Sequence, residues 1–179
     1  MRLGTRASPL ALAQAAWVAA RLPGEVEVVA LRTSGDASSP ARAPEDKSRW
    51  VDTIEAALVS GEIDLAVHSA KDVPGDLADG TAIVAVPERE DPRDLLIGAI
   101  APGARVGTAS LRRAAQLTAW RDDLRVVNVR GNVDTRLRKW RAGEVEALVL
   151  ARAGLLRLGR DEPGTTLDAP VFAAGTKTG

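Results

Sequence analysis

Arginines and hydroxyls recur wherever a strand-like segment of this chain ends. Arg6-Ala7-Ser8 follows RLGT at 2–5, and Ser69-Ala70-Lys71-Asp72 follows IDLAVH at 63–68. Ala109-Ser110-Leu111-Arg112-Arg113 follows RVGT at 105–108, and the run from Arg130 to Arg136 follows RVVNV at 125–129. Arg152 and then Arg157 come after ALVL at 147–150. In open parallel sheets, ligands sit outside the carboxyl ends of the strands, where the N–H groups of a following helix also point. A guanidinium presents two parallel donors to a carboxylate, which an ammonium cannot do. Lysine occurs only at Lys47, Lys71, Lys139 and Lys177, so nearly all the positive charge is arginine. The pattern predicts a pocket for a small, multiply carboxylated ligand.

Asp72 is the exception within that pattern, a carboxylate directly after Lys71 in a loop rich in cations. It is either an ion-pair partner or the negative group that stabilises a cation developing on a ligand nitrogen. Other residues read more plainly. Arg138, Lys139 and Arg141 form a solvated helix face, and Trp50, Trp120 and Trp140 are packing residues. His68 beside a strand end reads as a hydrogen-bonded structural residue. Arg112 and Arg113 are adjacent, so on a helix they point about 100° apart and only one of them is expected to face a ligand.

Alternating elements must position these groups. Arg2–Thr5 and Val26–Thr33 read as strands, with a helix between them that begins at Ser8-Pro9 and runs to about Ala20. Residues 34–46 read as a long loop, and Val51, Ile54, Leu58 and Val59 fall at helical spacing before Gly61. Ile63–His68 and Thr81–Val86 read as further strands, and 91–102 as a crossover to a second unit. There the sequence predicts strands at Arg105–Thr108, Arg125–Val129 and Ala147–Leu150, and helices at Ser110–Trp120, Val133–Arg141 and Gly154–Leu158. The fold class is α/β, with helices on the faces of parallel or mixed sheets in two domains. The first domain spans 1–95 and the second 100–163, with a second crossing near 161–164 and residues 165–179 able to return to the first.

Composition narrows the function. Positive and negative side chains balance at 24 each, without the basic excess of a nucleic-acid-binding protein. Cysteine is absent and His68 is the single histidine, so neither thiolate nor multi-histidine metal sites can form, and no metal is expected. No apolar run reaches the ~18 residues of a membrane span, and the N-terminus lacks a signal peptide's apolar stretch. A monomer in the cytoplasm, without nucleic-acid or membrane partners, is the expectation.

Several segments together carry a family resemblance. HSAKDVP at 68–74, PEREDPRD at 87–94, VGTASLRRAAQL at 106–117 and VRGNVDTRLRK at 129–139 resemble the signature segments of the porphobilinogen deaminase (hydroxymethylbilane synthase) family. RLGTRASPLALAQA at the start and AGLLRLG at 153–159 fit in the same order. The resemblance implies three α/β domains, the first two like a type II periplasmic-binding-protein cleft. It implies an enzyme of tetrapyrrole (haem) biosynthesis, a transferase that deaminates porphobilinogen and adds the product to a dipyrromethane primer held by a cysteine of the third domain. By position, Asp72 matches the family's catalytic carboxylate. Arg6, Ser69, Lys71, Ser110, Arg112, Arg113, Arg130, Arg136 and Arg157 match groups that bind acetate and propionate side chains.

The chain departs from the family in three respects. It ends where the third domain would follow, and it has no cysteine to attach a primer. The family's Gly-Gly-Lys-Gly loop is replaced by Glu45-Asp46-Lys47-Ser48-Arg49-Trp50, in which Lys47 and Trp50 take the places of the lysine and the aromatic residue. Arg152 adds a cation where a small apolar residue is usual. The expectation is therefore a shortened deaminase, incomplete or primer-independent. The alternative is a non-catalytic two-lobed module that binds a carboxylated pyrrole or a similar polycarboxylate.

Overall fold

A computed structural model describes residues 1–32 and 51–168 of the chain. The chain divides into two compact units at Pro87 and Glu88. Both are α/β, each built on its own sheet.

In the first unit, β1 (Arg2–Arg6), β2 (Glu27–Leu31) and β3 (Leu65–Ala66) form a parallel sheet in the order β2-β1-β3. The central strand is buried over Leu3, Gly4 and Thr5. Gly4 leaves room for Ile63, whose Cδ1 would lie 2.3 Å from a Cβ placed there and would have to turn aside. Helix α1 (Pro9–Ala19) starts as the sequence directs: the Ser8 hydroxyl accepts from the amide of Ala11, and Pro9 occupies the first turn. Helix α2 (Asp52–Val59) buries Ile54 and Ala57 over Ile63, while Val59 points to solvent at 61% exposure. Gly61 ends it with φ +74°.

Two expectations need correcting here. Of Ile63–His68 only Leu65 and Ala66 pair as strand, and Thr81–Val86 is not a strand at all. Ile83, Val84 and Val86 are 62%, 77% and 83% exposed, because an apolar, β-branched run makes a ladder only when another strand lies beside it. Among the described residues no strand pairs with this one. The long loop expected at 34–46, Lys47 and the 169–179 tail lie outside the described residues.

The second unit holds a five-stranded mixed sheet in the order β6-β5-β7-β4-β8. Its strands are β4 (Asp94–Gly98), β5 (Arg105–Thr108), β6 (Arg125–Asn128), β7 (Ala147–Ala151) and β8 (Thr165–Leu167). β5 runs parallel to β6 and β7, whereas β4 is antiparallel to β7 and β8. The segment 91–102, expected as a crossover, thus contains a buried strand. Pro92 and Pro102 flank it without entering it, so the prolines mark its ends rather than exclude it. Strand β4 also moves Asp94 and Leu95 out of the first unit, and Thr165–Leu167 pairs within the second sheet instead of returning to the first.

Both faces of this sheet are covered. Leu96, Val106 and Val149 face one way with Leu117 of α3 (Leu111–Trp120). Leu95, Ile97, Leu148 and Leu150 face the other, against Leu137 of α4 (Val133–Arg141) and Leu155 of α5 (Arg152–Arg157). Residues alternate between the two cores along β4 and β7, as the period of two in a strand requires. Trp140 packs against the second core and donates its indole N–H to the Glu146 carbonyl at 3.2 Å, while Trp120 stays 37% exposed. No helix among the described residues is long and apolar enough to cross a membrane.

Leu148 is fully buried, and Leu148→Ala should lower stability by about 2–5 kcal/mol in urea unfolding. An acid-sensitive pin joins β5 to β7. Glu146 accepts from the Arg105 guanidinium at 2.6 Å and from its backbone amide at 2.7 Å, which holds the carboxyl down to about 2. Its folded value lies below the ordinary 4.5, so the unfolded chain binds the proton first. The contribution is whole above pH 4.5 and fades as pH falls toward 2. Glu146→Gln should flatten that part of the stability profile in acid titrations followed by circular dichroism; an unchanged slope would contradict the pin.

Candidate functional site

In the first unit, the candidate residues gather where β1 and β3 end. Arg6 closes β1, and its Nη1 lies 3.6 Å from Oδ2 of Asp72. Both side chains are largely covered, at 18% and 21% exposure. Asp72 is placed by a tight turn in which its amide donates to the Ser69 carbonyl at 2.8 Å. The Ser69 hydroxyl donates to Oε1 of Gln14 on α1 at 2.9 Å, tying the turn to the helix. Thr5 is buried and donates to the Val67 carbonyl at 3.1 Å, which holds the end of β1 against the loop after β3. A separation of 3.6 Å is an ion pair without a short hydrogen bond, so the Asp72 carboxylate retains lone pairs that a ligand N–H can use. Lys71 is exposed beside it.

His68 shares this environment. Burial depresses its pKa, the charge of Asp72 opposes that, and the charge of Arg6 reinforces it. The ring has no hydrogen-bond partner among the described residues, contrary to the structural bond expected of it.

In the second unit, Ser110 caps α3 by accepting from the amide of Arg113 at 3.4 Å, and its own amide donates to the Thr108 hydroxyl. The helix start then sends Arg112 and Arg113 in different directions, as adjacent positions must. Arg113 donates from Nε and Nη2 to the two oxygens of Asp94, at 2.8 and 2.7 Å. Arg112 donates to Gln116 at 3.0 Å and stands 3.8 Å from Asp94. Asp94 enters β4 with only 3% of its side chain exposed. Arg136 is set by the start of α4, where Asn132 accepts from the amide of Thr135 at 2.8 Å. Gly131, at φ +121°, makes that turn; a Cβ there would be 2.6 Å from the Thr135 methyl. The Arg136 Nε donates to the Gly131 carbonyl at 2.7 Å. Burial, and then the nearby charge of Arg113, lower the Arg136 pKa. Two partly covered guanidiniums that feel each other's charge, with a carboxylate engaged by one of them, have a net positive charge that an anion would relieve.

The remaining candidates are not drawn in. Arg130 and Arg157 are exposed, with no ion pair among the described residues. Arg152 is engaged elsewhere: it donates to the Thr166 hydroxyl at 2.7 Å and lies 3.3 Å from Asp91, which also accepts from Arg93. Its extra charge is thus absorbed in a network joining α5 to β8, not added to the anion-binding set. The sequence reading missed Asp94 and Gln14. Asp94 had one available signal, a carboxylate at the head of the apolar run DLLIG, where only a partnered charge is tolerated.

With a single histidine, proton NMR can follow His68 directly. Its midpoint should fall below the ordinary 6.5, and Asp72→Asn should lower it further because the opposing negative charge is removed. A midpoint that rises in that variant would contradict the arrangement.

Comparison with known proteins identifies the family. The family model described as porphobilinogen deaminase, dipyromethane cofactor binding domain, matches residues 1–177. The porphobilinogen deaminase of Syntrophus aciditrophicus (strain SB) is 46% identical over 179 residues, covering 92% of this chain and 58% of that protein. That of Rubrobacter xylanophilus is 48% identical, covering 95% of this chain and 60% of that protein. That of Roseiflexus sp. (strain RS-1) is 51% identical, covering 89% and 57%. The chain thus spans less than two thirds of the length of the curated relatives it matches. By the model match over nearly the whole chain and these identities, the chain belongs to the porphobilinogen deaminase family.

Proposed function

We propose that this chain binds porphobilinogen and catalyses its deamination, the first half of a pyrrole-condensing transferase reaction in tetrapyrrole biosynthesis. The observation that carries the reading is Asp72, a largely covered carboxylate held by Arg6 beside a histidine whose pKa burial depresses. When the C–N bond of the protonated aminomethyl group of porphobilinogen breaks, the nitrogen leaves as ammonia with the bonding pair. The pyrrole nitrogen then shares the positive charge left behind. A carboxylate accepting that N–H stabilises the cation more than the neutral substrate, which is how a fixed charge accelerates a step. Burial of His68 disfavours a second cation beside Asp72.

The acetate and propionate groups of the ligand require cations, and the reading gives them to Arg113 and Arg136, with Arg112, Ser110, Arg130 and Arg157 at the margins. Arg6, Ser69 and Lys71 serve the side of Asp72. Lys47, outside the described residues, belongs to the same proposed set. The finer likeness to the two lobes of a type II periplasmic-binding protein is part of this reading, supported by strand ends rich in cations in each unit. So are a cytoplasmic location and a monomeric state.

The family model names a dipyrromethane cofactor. Taken unit by unit, the residue types suit such a group: Arg113 and Arg136 of the second unit are of the kind that pairs with carboxylates, and Asp72 of the first is of the kind that accepts from a pyrrole N–H. None of the chain's 179 residues is a cysteine, so none of them can form the thioether. When bound, such a group supplies the nucleophilic pyrrole carbon. The residues here orient it, neutralise its carboxylates and hold the negative charge at Asp72.

Ammonia release from porphobilinogen by the purified chain tests the reading. Release is expected from the wild type, with a loss of about 100-fold or more in Asp72→Ala and the fold intact by circular dichroism. Release at the wild-type rate from Asp72→Ala would contradict the assignment. Binding without release from either protein would favour a non-catalytic module.

A further inference from the structure

We infer that Asp94 is a positioning residue that selects which edge of Arg113 a ligand carboxylate meets. The inference deepens the proposed function and rests on its assignment of a carboxylated pyrrole as ligand.

A guanidinium has five N–H donors in a planar fork. Asp94 takes one whole edge of Arg113, with Nε donating to Oδ2 at 2.8 Å and Nη2 to Oδ1 at 2.7 Å. The donors left lie on the terminal edge, on Nη1 and the outer hydrogen of Nη2. A ligand carboxylate therefore approaches Arg113 end-on and cannot use the Nε side. The clamp is rigid because its base is rigid: Asp94 has 3% of its side chain exposed and opens β4, which pairs with β7 on one side and β8 on the other. Arg113 is itself 14% exposed and anchored at the first turn of α3. Breaking this buried two-pronged pair would leave either member desolvated and alone, which holds the geometry.

The second consequence concerns charge. Arg112, Arg113 and Arg136 would together present three positive charges; Asp94, 2.7 Å from Arg113 and 3.8 Å from Arg112, cancels one of them. The cluster thus keeps a net positive charge for ligand carboxylates while Arg113 is held in place. Asp94 acts through Arg113 and does not touch the ligand itself.

Guanidinium-resolved proton–nitrogen NMR, with porphobilinogen titrated into the intact chain, reads this directly. The Arg113 Nε resonance should be shifted by its short bond to Asp94 and stay in place on titration, while the Nη signals move. Asp94→Asn should abolish the Nε shift and weaken porphobilinogen binding by about 10- to 100-fold, the worth of a charge-assisted hydrogen bond. If Asp94→Asn fails to fold, Arg113→Lys decides the matter. A lysine ammonium can still pair with Asp94 but has no second edge to offer, so the fold should survive while binding falls by the same factor. Movement of the Nε resonance on titration, or wild-type affinity in Asp94→Asn or Arg113→Lys, would overturn the inference alone. Absence of porphobilinogen binding by the wild type would overturn the proposed function and this inference with it.

Discussion

The cost of holding guanidiniums away from water governs this molecule. A cation half-removed from solvent needs a counter-charge or it loses its proton affinity, and the chain answers differently at each position. Arg113 receives a dedicated carboxylate, Asp94, in a two-pronged contact. Arg6 receives Asp72 at a longer 3.6 Å. Among the described residues Arg136 has a backbone carbonyl as its bonded partner and a neighbouring cation, and burial and Arg113 depress its pKa. The first arrangement is saturated on one edge, the second is partly satisfied, and the third is left wanting an anion. The gradient runs from structure toward function, and it marks where a ligand's charge is most useful.

Everything else in the fold serves to set those distances. Strand β1 is central and buried, so Arg6 at its end cannot wander. Strand β4 lies between two antiparallel neighbours with Leu95, Leu96 and Ile97 buried, which fixes Asp94 at its head. Helix caps do the rest. Ser110 and Asn132 each spend a side-chain oxygen on a backbone amide, and that bond aims the arginines of the following turn. Mutations in the sheet should therefore reach the site through position as much as through stability.

Most elements were legible in the sequence, as were the residues that end them. Ser8-Pro9, Ser110 and Gly61 announced helix boundaries through local chemistry, which does not depend on distant partners. The failures were pairing problems. Thr81–Val86 has a strand's composition but no described neighbour, whereas DLLIG between two prolines looked like a connection and proved to be an interior strand. Composition reports what a segment could do, and the ladder depends on residues far along the chain, such as β7 and β8. The site was legible by residue type, since cations after strands attract anions wherever the strands lie. Its internal accounting was not. The head of the apolar run DLLIG marked Asp94 as a charge in need of a partner, but nothing in the sequence named Arg113 as that partner, nor showed that Asp91 and Thr166 would absorb Arg152.

The central claim is that arginines of this site recognise the carboxylates of a small pyrrole. Calorimetry comparing porphobilinogen with its dimethyl ester tests it most directly, because the ester keeps the ring, the aminomethyl group and the shape while removing both negative charges. The account predicts binding of porphobilinogen and a loss of about 100-fold or more for the ester, two charge-assisted contacts being removed. Equal affinity for the two would contradict it and show that the arginine clusters serve the fold rather than the ligand.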